Sequence, residues 1–226
     1  MKILALYASK NTTKPDATGA FIPQAQVFAK ARRATGDTVI LVPFDPLLSQ
    51  YERLASFCTK LRSAETYDAL AYFGHGTRRG LPSAGVTMGD ITKLADAIHA
   101  KAAPHVIVTL YACSAANTPV VDDRKTPEIE GIDGDGGCAD RLRDRLSTLG
   151  HTGWIDAHTV AGHATINRYT RRFYMNGQSG GTGGTWLVAP GSPEWDSWGD
   201  LLRTDHSLRF GFPYMTEKQL HERLPG

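Results

Sequence analysis

The chain is poor in cysteine, nearly balanced in charge and without a long apolar run. Its three cysteines, Cys58, Cys113 and Cys138, are too few and too unevenly spaced for a disulfide framework, and no spacing among them suits a zinc site. They read as free thiols, which points to a reducing compartment. A net charge of +2 gives no footing for nucleic-acid or membrane-surface binding, and the arginine pairs (Arg32-Arg33, Arg78-Arg79, Arg171-Arg172) are scattered rather than gathered. No apolar stretch reaches the length of a membrane span. The opening Lys2–Ala8 run is too short for a secretory core, and no cleavage pattern follows it. The expectation is a cytoplasmic protein with no membrane or nucleic-acid partner. No internal repeat is present, and no boundary divides the chain into two domains.

What is there alternates between short apolar runs and amphipathic stretches. Lys2–Ala8, Thr38–Phe44, Asp68–Phe73, Val106–Ala112 and Trp154–Val160 read as strands. Ala164–Met175 extends the last of these or forms another. Helices are predicted from Pro23 to Gly36, from Asp45-Pro46 through Leu61, over Asp90–Ala102 and over Cys138–Leu149. In the second of these, Leu47, Tyr51, Leu54, Phe57 and Leu61 recur at helical spacing. Residues 117–137 are polar and mostly acidic. Gly177–Gly184 reads as a glycine-rich mobile loop. Beyond it, Trp186–Ala189 is a short strand, and Glu194–Arg203 and Thr216–Arg223 are helices. Strands alternating with helices imply an α/β three-layer sandwich, with a mainly parallel central sheet and helices on both faces. A single domain over 1–226 is expected, with a core at 1–160 and an elaboration at 161–226.

Two residues stand out chemically. Ligands of an open parallel sheet bind beyond the carboxyl ends of its strands. His75 follows the third strand and Cys113 the fourth, so the two should meet at one rim. A cysteine thiolate is the nucleophile of acyl transfer, and a nearby histidine takes its proton or lowers its pKa. Gly76 permits a sharp turn, and its amide, with that of Cys113, could face a developing oxyanion. Ala112 leaves room beside the thiol. Taken singly, a His-Gly turn and a small buried cysteine are ordinary structural features; their joint placement favours function.

These segments, Ala69-Leu70-Ala71-Tyr72-Phe73-Gly74-His75-Gly76 and Val106-Ile107-Val108-Thr109-Leu110-Tyr111-Ala112-Cys113, resemble the caspase-like (clan CD) cysteine peptidases: caspases, metacaspases, legumains and gingipains. In that group an apolar strand ends in His-Gly and a second ends in Ala-Cys. The resemblance covers about residues 1–160. It implies a caspase-like fold, a His75–Cys113 dyad, and an oxyanion hole that includes the Gly76 amide. It implies hydrolysis of polypeptide substrates through a thioester, with no cofactor. Tyr111 stands where caspases have Gln and metacaspases usually Asp, a position that shapes the pocket for the residue before the scissile bond. Neither Asp nor Lys/Arg specificity carries over. The strand and loop after the nucleophile bind substrate in the family, which implicates His158, Asn167 and Arg168. Some members mature by cleavage after the catalytic cysteine, which leaves room for self-cleavage in the 117–137 loop at Arg124-Lys125; a plain solvated loop is the simpler reading.

Other readings are weaker. Asp156, His158 and His163 are zinc-type ligands without a recognised spacing, and Asp133-Gly134-Asp135 is only a fragment of a calcium loop; no metal is expected. The Leu6–Thr13 segment resembles the start of a flavodoxin, whose Ser/Thr-rich loop holds the FMN phosphate. No Thr-Gly-Asn-Thr follows Ser9, however, and Lys14-Pro15-Asp16 delays the helix. A caspase-like fold that binds or scaffolds without cleaving is the remaining alternative.

Overall fold

The computed structural model describes residues 1–10, 21–116, 136–158, 170–175 and 179–182. The elements in chain order are β1 (Lys2–Ala8), α1 (Phe21–Ala34), β2 (Thr38–Phe44), α2 (Gln50–Ser63), β3 (Tyr67–Phe73), β4 (Gly80–Leu81), β5 (Val86–Thr87), α3 (Ile91–His99), β6 (Ala102–Tyr111), α4 (Cys138–Thr148), β7 (Thr152–His158), β8 (Thr170–Tyr174) and β9 (Ser179–Thr182). Nine-residue and longer segments with three- and four-residue apolar spacing became helices, and continuous apolar runs became strands. The central sheet has the order β2-β1-β3-β6-β7-β8-β9. Its first five strands are parallel, while β8 and β9 run antiparallel to their neighbours.

The central strands are buried on both sides, as parallel sheets are. On one face Phe28 of α1 packs against Phe73 and Tyr111. On the other, Phe57 of α2 packs against Phe44 and Tyr72, and α3 and α4 continue that layer. Pro43 is accommodated because β2 is an edge strand, where a missing N–H breaks no ladder.

Several predicted boundaries shift. Helix α2 starts at Gln50, not after Asp45: Ser49 caps it, with Glu52 closing a capping box. The Asp45 carboxylate instead accepts the Leu47 amide at 2.9 Å in a turn and pairs with Lys10. Leu47 and Tyr51 are accordingly exposed, and Leu54, Phe57, Cys58 and Leu61 form the buried stripe. The α3 helix stops at His99, and β6 begins four residues before Val106. The Ala164–Met175 stretch holds a separate strand, β8, which turns back along β7. Part of the expected glycine-rich loop is strand β9. The elements expected over 186–189, 194–203 and 216–223 lie outside the described residues.

Candidate active site

The carboxyl ends of β3 and β6 set the geometry. Phe73 and Tyr111 are register partners. His75 and Cys113 therefore each stand two residues beyond a matched pair on neighbouring strands about 4.8 Å apart. The ladder extends one step further, where the Gly74 amide donates to the Tyr111 carbonyl at 3.5 Å. The sheet order reverses between β1 and β3, one strand over from this pair, and such a switch point is where open α/β sheets form their ligand crevice.

The His-Gly turn lies directly on the cysteine turn. A Cβ added to Gly76 would fall 2.5 Å from the Ala112 Cβ and 2.9 Å from the Cys113 carbonyl oxygen. Only glycine permits that approach. The His75 ring meets Phe21, at the start of α1, edge to face at 5.2 Å. His75 and Cys113 are both half-exposed, and each makes further polar or electrostatic contacts within the fold.

Helix α4 ties the two turns together. The first amides of a helix have no partner inside it, and α4 has no side-chain cap. Its Cys138 amide donates to the Arg78 carbonyl at 3.0 Å, in the loop after His75. Its Ala139 amide donates to the Ala115 carbonyl at 3.0 Å, in the turn after Cys113. The Ala116 amide bonds the His158 carbonyl at 2.9 Å, fixing the same turn to the end of β7. Within this turn Ser114 has φ +53°, the one non-glycine positive φ among the described residues. A left-handed conformation costs an ordinary residue about 1–2 kcal/mol, and strain of this kind, held by the surrounding structure, clusters at functional sites.

The three thiols are sharply distinguished. Cys58 and Cys138 are buried, while Cys113 is partly exposed. Burial raises the Cys58 pKa and pushes Cys138 up to about 12, so neither supplies thiolate near neutral pH.

The remaining expected site residues divide. Tyr111 and His158 end neighbouring strands, with rings 6.1 Å apart, but both are buried. Tyr111 also stacks on Phe73 at 4.7 Å. The pair thus forms a floor below the rim rather than an open groove wall. Burial holds the Tyr111 phenol well above its ordinary pKa, so it is a neutral donor. Beneath it lies a cavity of about 230 Å³, lined by Arg32, Thr109, Tyr111, Trp154, Asp156 and Arg172 among others; neither His75 nor Cys113 borders it. Asp156 is engaged there by a two-bond ion pair with Arg172 (2.9 and 3.0 Å) and by the Trp154 indole N–H at 3.0 Å. Asn167, Arg168, His163, Asp133–Asp135 and Arg124-Lys125 lie outside the described residues. Among the described residues no cluster of three or more metal-type ligands occurs, and no helix is long and apolar enough to cross a membrane.

The sequence reading missed the β4–β5 hairpin, the α4 amides and the Ser114 conformation. None has a local sequence signal, because each depends on what the fold brings alongside. No protein-family model matches the chain, and no curated protein does.

Proposed function

We propose that the protein is a cysteine endopeptidase with a caspase-like three-layer fold, using Cys113 as nucleophile and His75 as its proton partner. The Cys113 sulfur attacks the scissile carbonyl carbon. The oxyanion is received by the amides of Gly76 and Cys113. The thiol proton passes through His75 to the leaving nitrogen as the C–N bond breaks, leaving a thioester. Water, deprotonated by His75, then attacks the thioester, releasing the acid and restoring the thiol. Polypeptide is the substrate, Tyr111 and His158 underlie the groove, and the chemistry calls for no cofactor.

The observation that carries this reading is the close seating of Gly76 on the Ala112–Cys113 peptide. It sets the turn of a half-exposed histidine against the turn of the one partly exposed thiol of the three. The parallel order 2-1-3-4-5 is also that of flavodoxin-type sheets, but an FMN protein has no task for this pair, and fold alone does not assign function. A non-catalytic scaffold would have no need of a strained turn beside an accessible thiol.

The test is site-specific alkylation. Limiting iodoacetamide at pH 7, followed by peptide mass analysis, is expected to modify Cys113 before Cys58 or Cys138. His75→Ala is expected to slow that modification about tenfold or more, because losing the histidine partner lowers the thiolate fraction. Equal rates in the two proteins would contradict the assignment.

A further inference from the structure

We infer that Tyr72 and Ser83 are positioning residues that orient His75 through two hydrogen bonds that clamp its backbone on either side of the Cα. This rests on the proposed dyad and extends it to residues that touch neither substrate nor thiol.

The clamp is assembled from groups on three segments. The His75 amide donates to the Ser83 hydroxyl oxygen at 2.9 Å. The Tyr72 hydroxyl donates to the His75 carbonyl at 3.0 Å.

Both side chains are almost wholly buried, Tyr72 at 1% and Ser83 at 3% exposure. Burial holds the Tyr72 phenol far above its usual pKa, so it remains a proton donor at any working pH. The clamp also explains Gly74. A Cβ there would collide with the Tyr72 hydroxyl and fall 3.2 Å from the Ser83 Cβ. The 3₁₀ turn that carries Ser83 (Pro82–Ala84) lies between β4 and β5. The hairpin that follows His75 thus returns to grip it.

The consequence is directional. The two peptide groups flanking the His75 Cα are both held, which fixes the backbone from which the imidazole projects. Phe21 then limits the ring from the α1 side. A histidine on an unclamped loop would spend much of its time away from Cys113, and a misplacement of about 1 Å can cost two orders of magnitude in rate.

The test compares the pH dependence of Cys113 alkylation by iodoacetamide in full-length wild type, Tyr72→Phe, Ser83→Ala and His75→Ala, with thermal melts confirming that each is folded. Tyr72→Phe and Ser83→Ala are expected to slow the reaction at pH 7 about tenfold. They should also shift its midpoint upward toward the His75→Ala curve, near the value of about 8.5 for an unassisted thiol. If His75→Ala departs from wild type while both folded variants stay within about twofold of it, the dyad stands and the positioning role is wrong. If His75→Ala itself matches wild type, the dyad is absent and the role falls with it. Should Tyr72→Phe fail to fold, Ser83→Ala, which removes a single oxygen, decides the matter.

Discussion

At the scale of single residues, three identical thiols have three different surroundings, and the surroundings rather than the residue type decide what each can do. Cys58 lies in the α2 stripe, with its sulfur 3.9 Å from the Lys93 carbonyl; Cys138 opens α4 at 0% exposure. Only Cys113 meets solvent, at a turn whose next residue is strained. Gly76 is the sharpest residue-level test of this arrangement. Gly76→Ala puts a methyl group where Ala112 already sits. Overpacking of this kind costs about 1–3 kcal/mol, and the loop must withdraw from Cys113. A folded protein whose hydrolysis has fallen at least about a hundredfold is expected, measured as kcat/KM on any peptide the wild type cleaves. The placement of His75, Gly76 and Cys113 just past strand ends was legible because apolar runs mark those ends clearly. Tyr72 and Ser83 were not. One reads as a core aromatic and the other as a turn serine until the hairpin is folded back.

Among the elements, the strands were legible wherever burial on both faces made the run continuously apolar, as in β1 and β3, and the β-branched run of the edge strand β2 was equally plain. Misreadings arose where composition imitated another signal. Asp45-Pro46 has the form of a cap and first helical residue, yet the true start is the Ser49–Glu52 capping box, which lies in plain sequence four residues on. The glycines of Ser179–Thr182 suggest a loop, but pairing with β8 makes them a strand. The β4 and β5 strands are two residues each, too short to show a period. Ser49→Ala removes the Glu52 amide's acceptor and is expected to destabilise the protein by about 1 kcal/mol, read from denaturant unfolding. The Glu52 carboxyl is held below its usual pKa chiefly by the Ser49 hydroxyl. A group with a lowered folded pKa stabilises above its unfolded value of about 4.3 and loses that contribution as pH falls. The difference between wild type and Ser49→Ala should therefore shrink below about pH 4.

Across the whole molecule, the far end of the sheet from the rim is closed by a pair of histidines. The His99 Nδ1 lies 3.0 Å from the His151 Nε2, and the His151 Nδ1 lies 3.0 Å from the Ala103 carbonyl. A carbonyl only accepts, so His151 carries its proton on Nδ1 and receives the His99 N–H on Nε2. The contact joins the end of α3 to the start of β7. Burial lowers the His151 pKa, with the neighbouring His99 adding to the effect. A histidine kept neutral by folding takes up protons more readily when unfolded. Stability is then full above about pH 6.5 and falls as pH drops through that value toward the lower folded pKa. Melting temperatures measured from pH 7.5 to 5 are expected to decline, and His151→Asn is expected to flatten that decline; parallel curves would show that another group is responsible. This pairing was invisible in the sequence, since the two histidines are 52 residues apart. By contrast, the mainly parallel sheet and the adjacency of β3 and β6 followed from alternating strands and helices, and it is this adjacency that brings the His75 and Cys113 turns to one rim.

The most direct test of the central claim is intact-mass analysis of wild-type and Cys113→Ala protein, each incubated alone and with a mixed peptide library. Cleavage products that form with wild type and vanish with Cys113→Ala are predicted, and their ends would define the residue preferred before the cut. Products that persist undiminished in Cys113→Ala would contradict the account, because the bond-breaking nucleophile would then lie elsewhere.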